Sequence, residues 1–323
     1  MGLCVKALRV AIFGAGHMGR SHAHKVAALA RRDAGLELAM IMDIDLERAQ
    51  KLGAEVGAGA TADAGEALRA GDAAIVAVPT GAHFRLVTAA LDAGLDVLVE
   101  KPMAATLDEA EAILELASRR GRILQVGHLE WFNSVLREMR GRIAEPRFVE
   151  GHRMGPFSER GTDVDVVRDL MIHDLDILQQ ILGEEPDLIE SIGVPVVTDK
   201  ADIANARIGF PSGCIANLTA SRVSPKAVRK IRFFQRDGYL SIDLLAHAAV
   251  HFHRLPVIDG KPPQFATEQR AFDPEDSLLA QLEGFVSSVR TRNPPAVSGR
   301  EGLRALRSAL RVVEAMARFG DPE

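Results

Sequence analysis

Short runs that are apolar at nearly every position punctuate the first 128 residues: LRVAIF (8–13), LELAMIMD ending at Asp43, AAIVAV (73–78), Val97–Val99 and RILQVGH (Arg122–His128). Strands of this kind need apolar cover on both faces, as in a parallel sheet. Between them the pattern changes to helical. One helix is predicted over Met18–Arg31, and a second behind Asp45 in LERAQKLG. A third is opened by His83 and closed by Gly94, and a fourth starts at the capping box Thr106-Leu107-Asp108-Glu109 and runs to Gly121. Strand–helix alternation through residue 128 predicts an α/β Rossmann domain with a doubly wound parallel sheet over residues 1–128.

After His128 the rhythm differs. A short helix (about Trp131–Arg142) precedes the strand PRFVEGHRM, and a loop with Gly155, Pro156 and Gly161 follows. VDVVRDLMIHDLDILQQILG reads as a helix, with Val167, Leu170, Leu178 and Ile181 at helical spacing. From residue 188 apolar and polar positions alternate between frequent turn signals, which predicts an antiparallel sheet. Two closing helices, about Glu275–Arg290 and Arg300–Ala317, are split by Asn293-Pro294-Pro295. Residues 129–323 are therefore expected to form an α+β domain with an open-faced, largely antiparallel sheet. Its bare face must meet something, so a homodimer or homotetramer through that sheet is expected.

Chemistry concentrates at a few of these boundaries. Gly14, Gly16 and Gly19 follow the first strand at G-x-G-x-x-G spacing and open a helix. That order serves a tight turn, a close pyrophosphate and helix–strand packing, with phosphate oxygens on the helix N-terminus. Asp43 ends the second strand 24 residues after Gly19, where a carboxylate binds ribose hydroxyls. It also repels a 2′-phosphate, by about 4 kcal/mol at about 4 Å and an effective dielectric of 20. Ile44, not arginine, follows it, so NAD is expected rather than NADP. Glu100 and Lys101 stand between Val97–Val99 and Pro102, at the carboxyl edge of a parallel sheet, where ligands of such sheets bind. Thr80 either reaches a ribose or caps a helix; His83 by itself reads as a capping or surface histidine. Asp169 and His173 are four residues apart and share a helix face, with Asp176 one turn further, which makes His173 a candidate base. His247, His251 and His253 are read as surface or core histidines, with no Cys or carboxylate in their company and no metal site.

Composition removes alternatives. A chain of 323 residues suggests two domains at about 150 each. Net charge −5 with dispersed Lys and Arg gives no case for nucleic acid. No apolar run approaches the roughly 18 residues of a membrane span. The start lacks a signal-peptide pattern, and after Met1-Gly2, Lys6 stands where myristoylation needs Ser or Thr. Two cysteines, Cys4 and Cys214, argue for a reducing compartment, taken as the cytoplasm.

The motifs GAGHMGRSH, VPTGAHFRLV, AGLDVLVEKPMA and DLMIHDLDIL together resemble the Gfo/Idh/MocA family of NAD(P)-dependent sugar oxidoreductases over nearly the whole chain. The resemblance implies Lys101, Asp169 and His173 as catalytic residues. It implies NAD held by Gly14, Gly16, His17, Met18, Gly19, Asp43, Pro79, Thr80, His83, Glu100 and Lys101. HLEWFN and RGTDVDVVRDLMIHDLDI look most like the branch that oxidises the 3-hydroxyl of UDP-N-acetylglucosamine, before an aminotransferase makes a 2,3-diamino sugar for lipid A. His128, Glu130, Asn133 and Arg153 are then candidate substrate residues. One departure is that Trp131 stands where that branch is expected to carry Arg; an aromatic ring can stack on a ligand ring where Arg would grip a phosphate. The alternatives are an inositol or free-sugar dehydrogenase and, in another class, a non-catalytic NAD-binding regulator.

Overall fold

Each apolar run of the first half becomes a strand of one sheet. The computed structural model describes residues 7–158, 161, 164–256, 258 and 261–319. Cys4, the Met1-Gly2 start, and Arg160, Thr162 and Asp163 of the RGTDVDVV motif lie outside the described residues. The chain divides into two compact units. One comprises the residues up to His128 together with Leu278–Leu303; the other comprises Leu129–Ser277 and the residues from Arg304.

In the first unit β1 (Leu8–Phe13), β2 (Leu36–Met42), β3 (Gly59–Thr61), β4 (Ala73–Val76), β5 (Asp96–Val99) and β6 (Leu124–Val126) form a sheet in the order β3-β2-β1-β4-β5-β6. All neighbours are parallel. The order reverses between β1 and β4, the switch point at which open α/β sheets bind ligands. The helices are α1 (His17–Ala30), α2 (Leu46–Val56), α3 (Ala64–Ala70), α4 (His83–Asp92) and α5 (Leu107–Arg120). One core joins Ala23 and Val26 of α1 and Leu52 of α2 to Leu282 and Phe285 of a later helix, α8 (Ser277–Thr291). β4 and β6 are shorter than the apolar runs that encode them, because Ala77, Val78 and Gly127 turn out of the sheet. The predicted capping box at Thr106 is half formed: Thr106 Oγ1 accepts the Glu109 N–H (3.3 Å), but Glu109 reaches back to the Ala105 N–H (3.0 Å).

In the second unit α6 (Ser134–Met139) is flanked by 3₁₀ turns at Leu129–Phe132 and Arg140–Arg142. Eight strands follow: β7 (Phe148–Met154), β8 (Leu188–Val194), β9 (Ile203–Gly209), β10 (Ile215–Ser221), β11 (Val228–Gln235), β12 (Gly238–Asp243), β13 (Ala248–Arg254) and β14 (Phe265–Ala271). Their order is β14-β13-β12-β11-β7-β10-β9-β8, antiparallel except for the β7–β10 pair. The inward face packs on α6, on α7 (Ile172–Leu182) and on Ala305, Ala309 and Val312 of α9 (Gly299–Phe319). The outward face carries a row of aromatic rings, Phe148, Phe234, Tyr239, Phe252 and Phe265, with successive centroids 5.5, 5.8, 5.5 and 5.1 Å apart. Alternation of side chains along paired strands builds such a row without any contiguous sequence signal. Among the described residues no helix is long and apolar enough to cross a membrane.

Candidate active site

The glycine turn is shaped as its spacing requires. Gly14 has φ +100°, and a Cβ there would lie 2.4 Å from the Ala77 carbonyl oxygen. At Gly19 a Cβ would come 1.7 Å from the Gly14 carbonyl oxygen, so α1 could not approach β1 with any larger residue. At Gly16 a Cβ would meet no protein atom within 4 Å, which leaves a bare approach for a ligand. α1 begins there with no side-chain cap and no acidic residue in its first turn. An uncapped N-terminus beside open backbone fits a dinucleotide pyrophosphate. His17 is exposed and Met18 half-buried at this mouth.

Asp43 is buried at the end of β2. Its carboxylate accepts the Ala15 N–H (2.7 Å) and the Asp45 N–H (2.9 Å), so it braces the glycine turn. Sequence adjacency missed one neighbour: Arg48, a turn into α2, brings Nη1 to 3.9 Å from Asp43 Oδ1.

Around Lys101 the turn is held from several sides. Lys101 is half-buried and its peptide bond to Pro102 is cis. Glu100 points inward, 2.7 Å from His22 Nε2, and a Cβ at Gly127 would press on its carboxylate at 2.8 Å. Charge on Glu100 is thus spent inside the fold, while Lys101 follows it at the strand's carboxyl end. His83 is buried rather than superficial. Its Nδ1 lies 2.9 Å from the Pro102 carbonyl and its Nε2 2.8 Å from the Val78 carbonyl, so it ties the loop after β4 to the Lys101–Pro102 turn. Thr80 does not cap α4: the residue at that cap is Ala82, and Pro79–Thr80 leads instead into a 3₁₀ turn over Thr80–Ala82. His128 is buried, and desolvation first, then the Lys101 charge, pushes its pKa down to about 3. It is a neutral imidazole beside a cation.

In the second unit the helix that carries Asp169 and His173 begins as a π turn, Val167–Met171, and continues as α7. The segment is helical as its spacing predicts, and its first turn is the wider π form; single π turns often accompany functional positions. Asp165 caps it, accepting the Val167 and Arg168 N–H groups at 3.0 Å each. Arg222, buried, donates to the Gly161 (2.9 Å) and Val164 (2.8 Å) carbonyls and so straps the loop that leads in. The Asp169 carboxylate rests against Gly161, where a Cβ would sit 2.7 Å from its Oδ2. Asp169 is half-buried and His173 buried, so this face is not a solvated charge stripe. Asp176 is buried and receives the Gln180 amide at 2.9 and 3.0 Å.

The candidate substrate residues are mostly engaged by the protein. Arg153 is buried between two carboxylates, Asp174 (Nη2–Oδ1 2.7 Å) and Glu130 (Nη1–Oε1 2.6 Å). Those charges outweigh desolvation and hold its guanidinium fully protonated. Glu130, beside Arg153 and Arg229, stays below the ordinary carboxylate value although burial alone would raise it. Asp174 moves the other way, because burial outweighs the same arginine. Asn133 caps α6 through the Val135 N–H (3.1 Å) and donates to the Leu244 carbonyl (3.2 Å). Trp131 packs on the core, with the Arg140 guanidinium 4.6 Å over its ring, so a protein cation already covers one face. Sequence reading passed over His22, Arg48, Asp165, Asp174 and Arg222, whose partners are distant in the chain or hidden by a helical turn. The histidines of β13 also need correction: His251 and His253 do have a carboxylate in their company, Glu268.

A Rossmann sheet with an open glycine turn, a buried carboxylate at the end of its second strand and a strand-end lysine has the features of a dinucleotide-dependent oxidoreductase. Residues 8–128 match the oxidoreductase family model with an NAD-binding Rossmann fold, and residues 136–241 match the GFO/IDH/MocA C-terminal domain. The chain belongs to the Gfo/Idh/MocA oxidoreductase family. It is 35% identical over 313 residues to a UDP-N-acetylglucosamine 3-dehydrogenase of Acidithiobacillus ferrooxidans, covering 97% of this chain and 98% of that one. A crystal structure of that enzyme superposes with a TM-score of 0.90 over the same shares. A myo-inositol dehydrogenase of Streptomyces leeuwenhoekii is 29% identical over 327 residues, 94% of this chain and 95% of that one. The fold is also that of scyllo-inositol dehydrogenase from Lactobacillus casei, solved with NAD(H) and scyllo-inositol (TM-score 0.80, 18% identity, 97% and 98% covered).

Proposed function

We propose that the protein oxidises the 3-hydroxyl of UDP-N-acetylglucosamine with NAD, as a step toward a 2,3-diamino sugar of the lipid A type. The observation that carries this is full-length likeness, 35% identity across 97% of the chain, to an enzyme with that name. NAD over NADP rests on Asp43, buried at the end of β2. When bound, the nicotinamide accepts the hydride. His173 takes the hydroxyl proton as general base, Asp169 orients that base or the hydroxyl, and Lys101 stabilises the negative charge that builds on the oxygen. His128, neutral beside Lys101, leaves the ammonium charge undiluted. Glu130, Arg153 and Asn133 shape the substrate side from behind.

The aromatic row on the outward face of the second sheet supports assembly into a homodimer or homotetramer through that face. A buried free Cys214, whose thiol is pushed up to about 11 by burial, is compatible with a cytoplasmic setting. The inositol dehydrogenase relatives favour a second reading, oxidation of an inositol or free sugar by the same residues. The two separate in one assay: NADH formation with UDP-N-acetylglucosamine and with myo-inositol, each with NAD and with NADP. Turnover with the nucleotide sugar and NAD is expected. Turnover only with the cyclitol refutes the nucleotide-sugar substrate, and turnover with neither refutes both substrates.

A further inference from the structure

His251 and His253 are i and i+2 on β13, so both rings leave the same face of the sheet. Their centroids are 4.6 Å apart with ring planes 22° from parallel. The antiparallel register sets Glu268 of β14 directly opposite His251. One donor atom from each of the three side chains lies within 4.8 Å of the others. Zinc binds imidazole nitrogen and carboxylate oxygen at about 2.0–2.2 Å. Three donors this close reach such an ion by moving inward less than about 1 Å each, which side-chain torsions supply without a backbone change.

Two further observations point to a cation. The focus of the cluster already attracts one: Arg142, on the 3₁₀ turn Arg140–Arg142, places Nη1 2.8 Å from Glu268 Oε2 and 3.2 Å from His251 Nδ1. Its side chain is 37% exposed and can swing out to solvent. The Nδ1 of His253 is shielded from solvent and has no hydrogen-bond partner among the described residues.

We propose that His251, His253 and Glu268 form a site for a zinc-class divalent ion that clasps β14, the edge strand of the second sheet, to β13, with Arg142 occupying the cluster when the ion is absent. Two imidazoles and one carboxylate suit Zn²⁺ over Mg²⁺ or Ca²⁺, which favour all-oxygen shells. Water completes the tetrahedron in place of the displaced guanidinium. The clasp has no part in hydride transfer.

The test uses tag-free, chelator-stripped full-length protein, titrated with Zn²⁺ by calorimetry and with Co²⁺ by visible absorption. One ion per chain, a tetrahedral Co²⁺ spectrum and a higher Tm with Zn²⁺ are expected. His253→Ala and Glu268→Gln are each expected to weaken binding at least tenfold, and Arg142→Met to tighten it, with dehydrogenase turnover unchanged in all three. Wild-type protein that binds no zinc saturably, or variants that bind as wild type does, overturn the site. Circular dichroism of each variant separates loss of the site from loss of the fold.

Discussion

The turn that carries Lys101 and the helix that carries His173 are fixed by different means. The first is held mainly by backbone geometry: a fully buried strand, a proline, a glycine pressed on Glu100, and His83 bridging two carbonyls. The second is held by buried charge. Asp174, next to His173, is locked to Arg153, and Arg153 to Glu130. Backbone devices tolerate few residue types and leave local signatures. Ion pairs between distant segments satisfy each other's desolvation and leave none.

The largest effects are expected at the two groups proposed to act on the substrate. Lys101→Ala and His173→Ala are each expected to lower kcat by about 10²–10⁴-fold while NAD binding, followed by fluorescence titration, survives. Near-normal turnover in either variant removes it from the chemistry. Next is the charge network: Arg153→Met strands two buried carboxylates and should cost about 3–5 kcal/mol in denaturant melts. A cost under about 1 kcal/mol would mean that the second region is held by packing after all.

A pH experiment probes the Lys101 side. His128 titrates near 6.5 when unfolded and near 3 in the fold, so its folded pKa is depressed. Between those values the unfolded chain binds the extra proton, so stability falls as pH drops below about 6.5, by up to about 1.4 kcal/mol per pH unit. His128→Gln should flatten that part of the stability–pH curve; an unaltered slope contradicts the assignment. The smallest effect tests backbone capping alone: Thr106→Ala should cost about 1 kcal/mol with turnover intact.

Legibility followed the same divide. Gly14, Gly16 and Gly19 announced their turn because each performs a task that only glycine can perform or that leaves room for a ligand. The half-formed capping box at Thr106 and the helix start at Asp45 were visible for a similar reason: partners three residues apart are neighbours in any helix. Arg153 entered as a candidate substrate residue only through the family resemblance, which says nothing of its partners in the fold. Its two anions proved to be the protein's own, 23 and 21 residues away. The π turn at Val167–Met171 was invisible because apolar spacing does not distinguish it from an α-helix.

By itself, then, the chain's pattern determined the parallel sheet, the glycine turn, the placement of Lys101 at a strand end and the change of architecture after His128. These follow from periodicity and from residue types with few conformational options. Only the tertiary structure decided that Glu268 joins His251, that Arg48 approaches Asp43, and that Arg153 faces inward. Strand register and the folding-back of long side chains bring together residues that no local window contains.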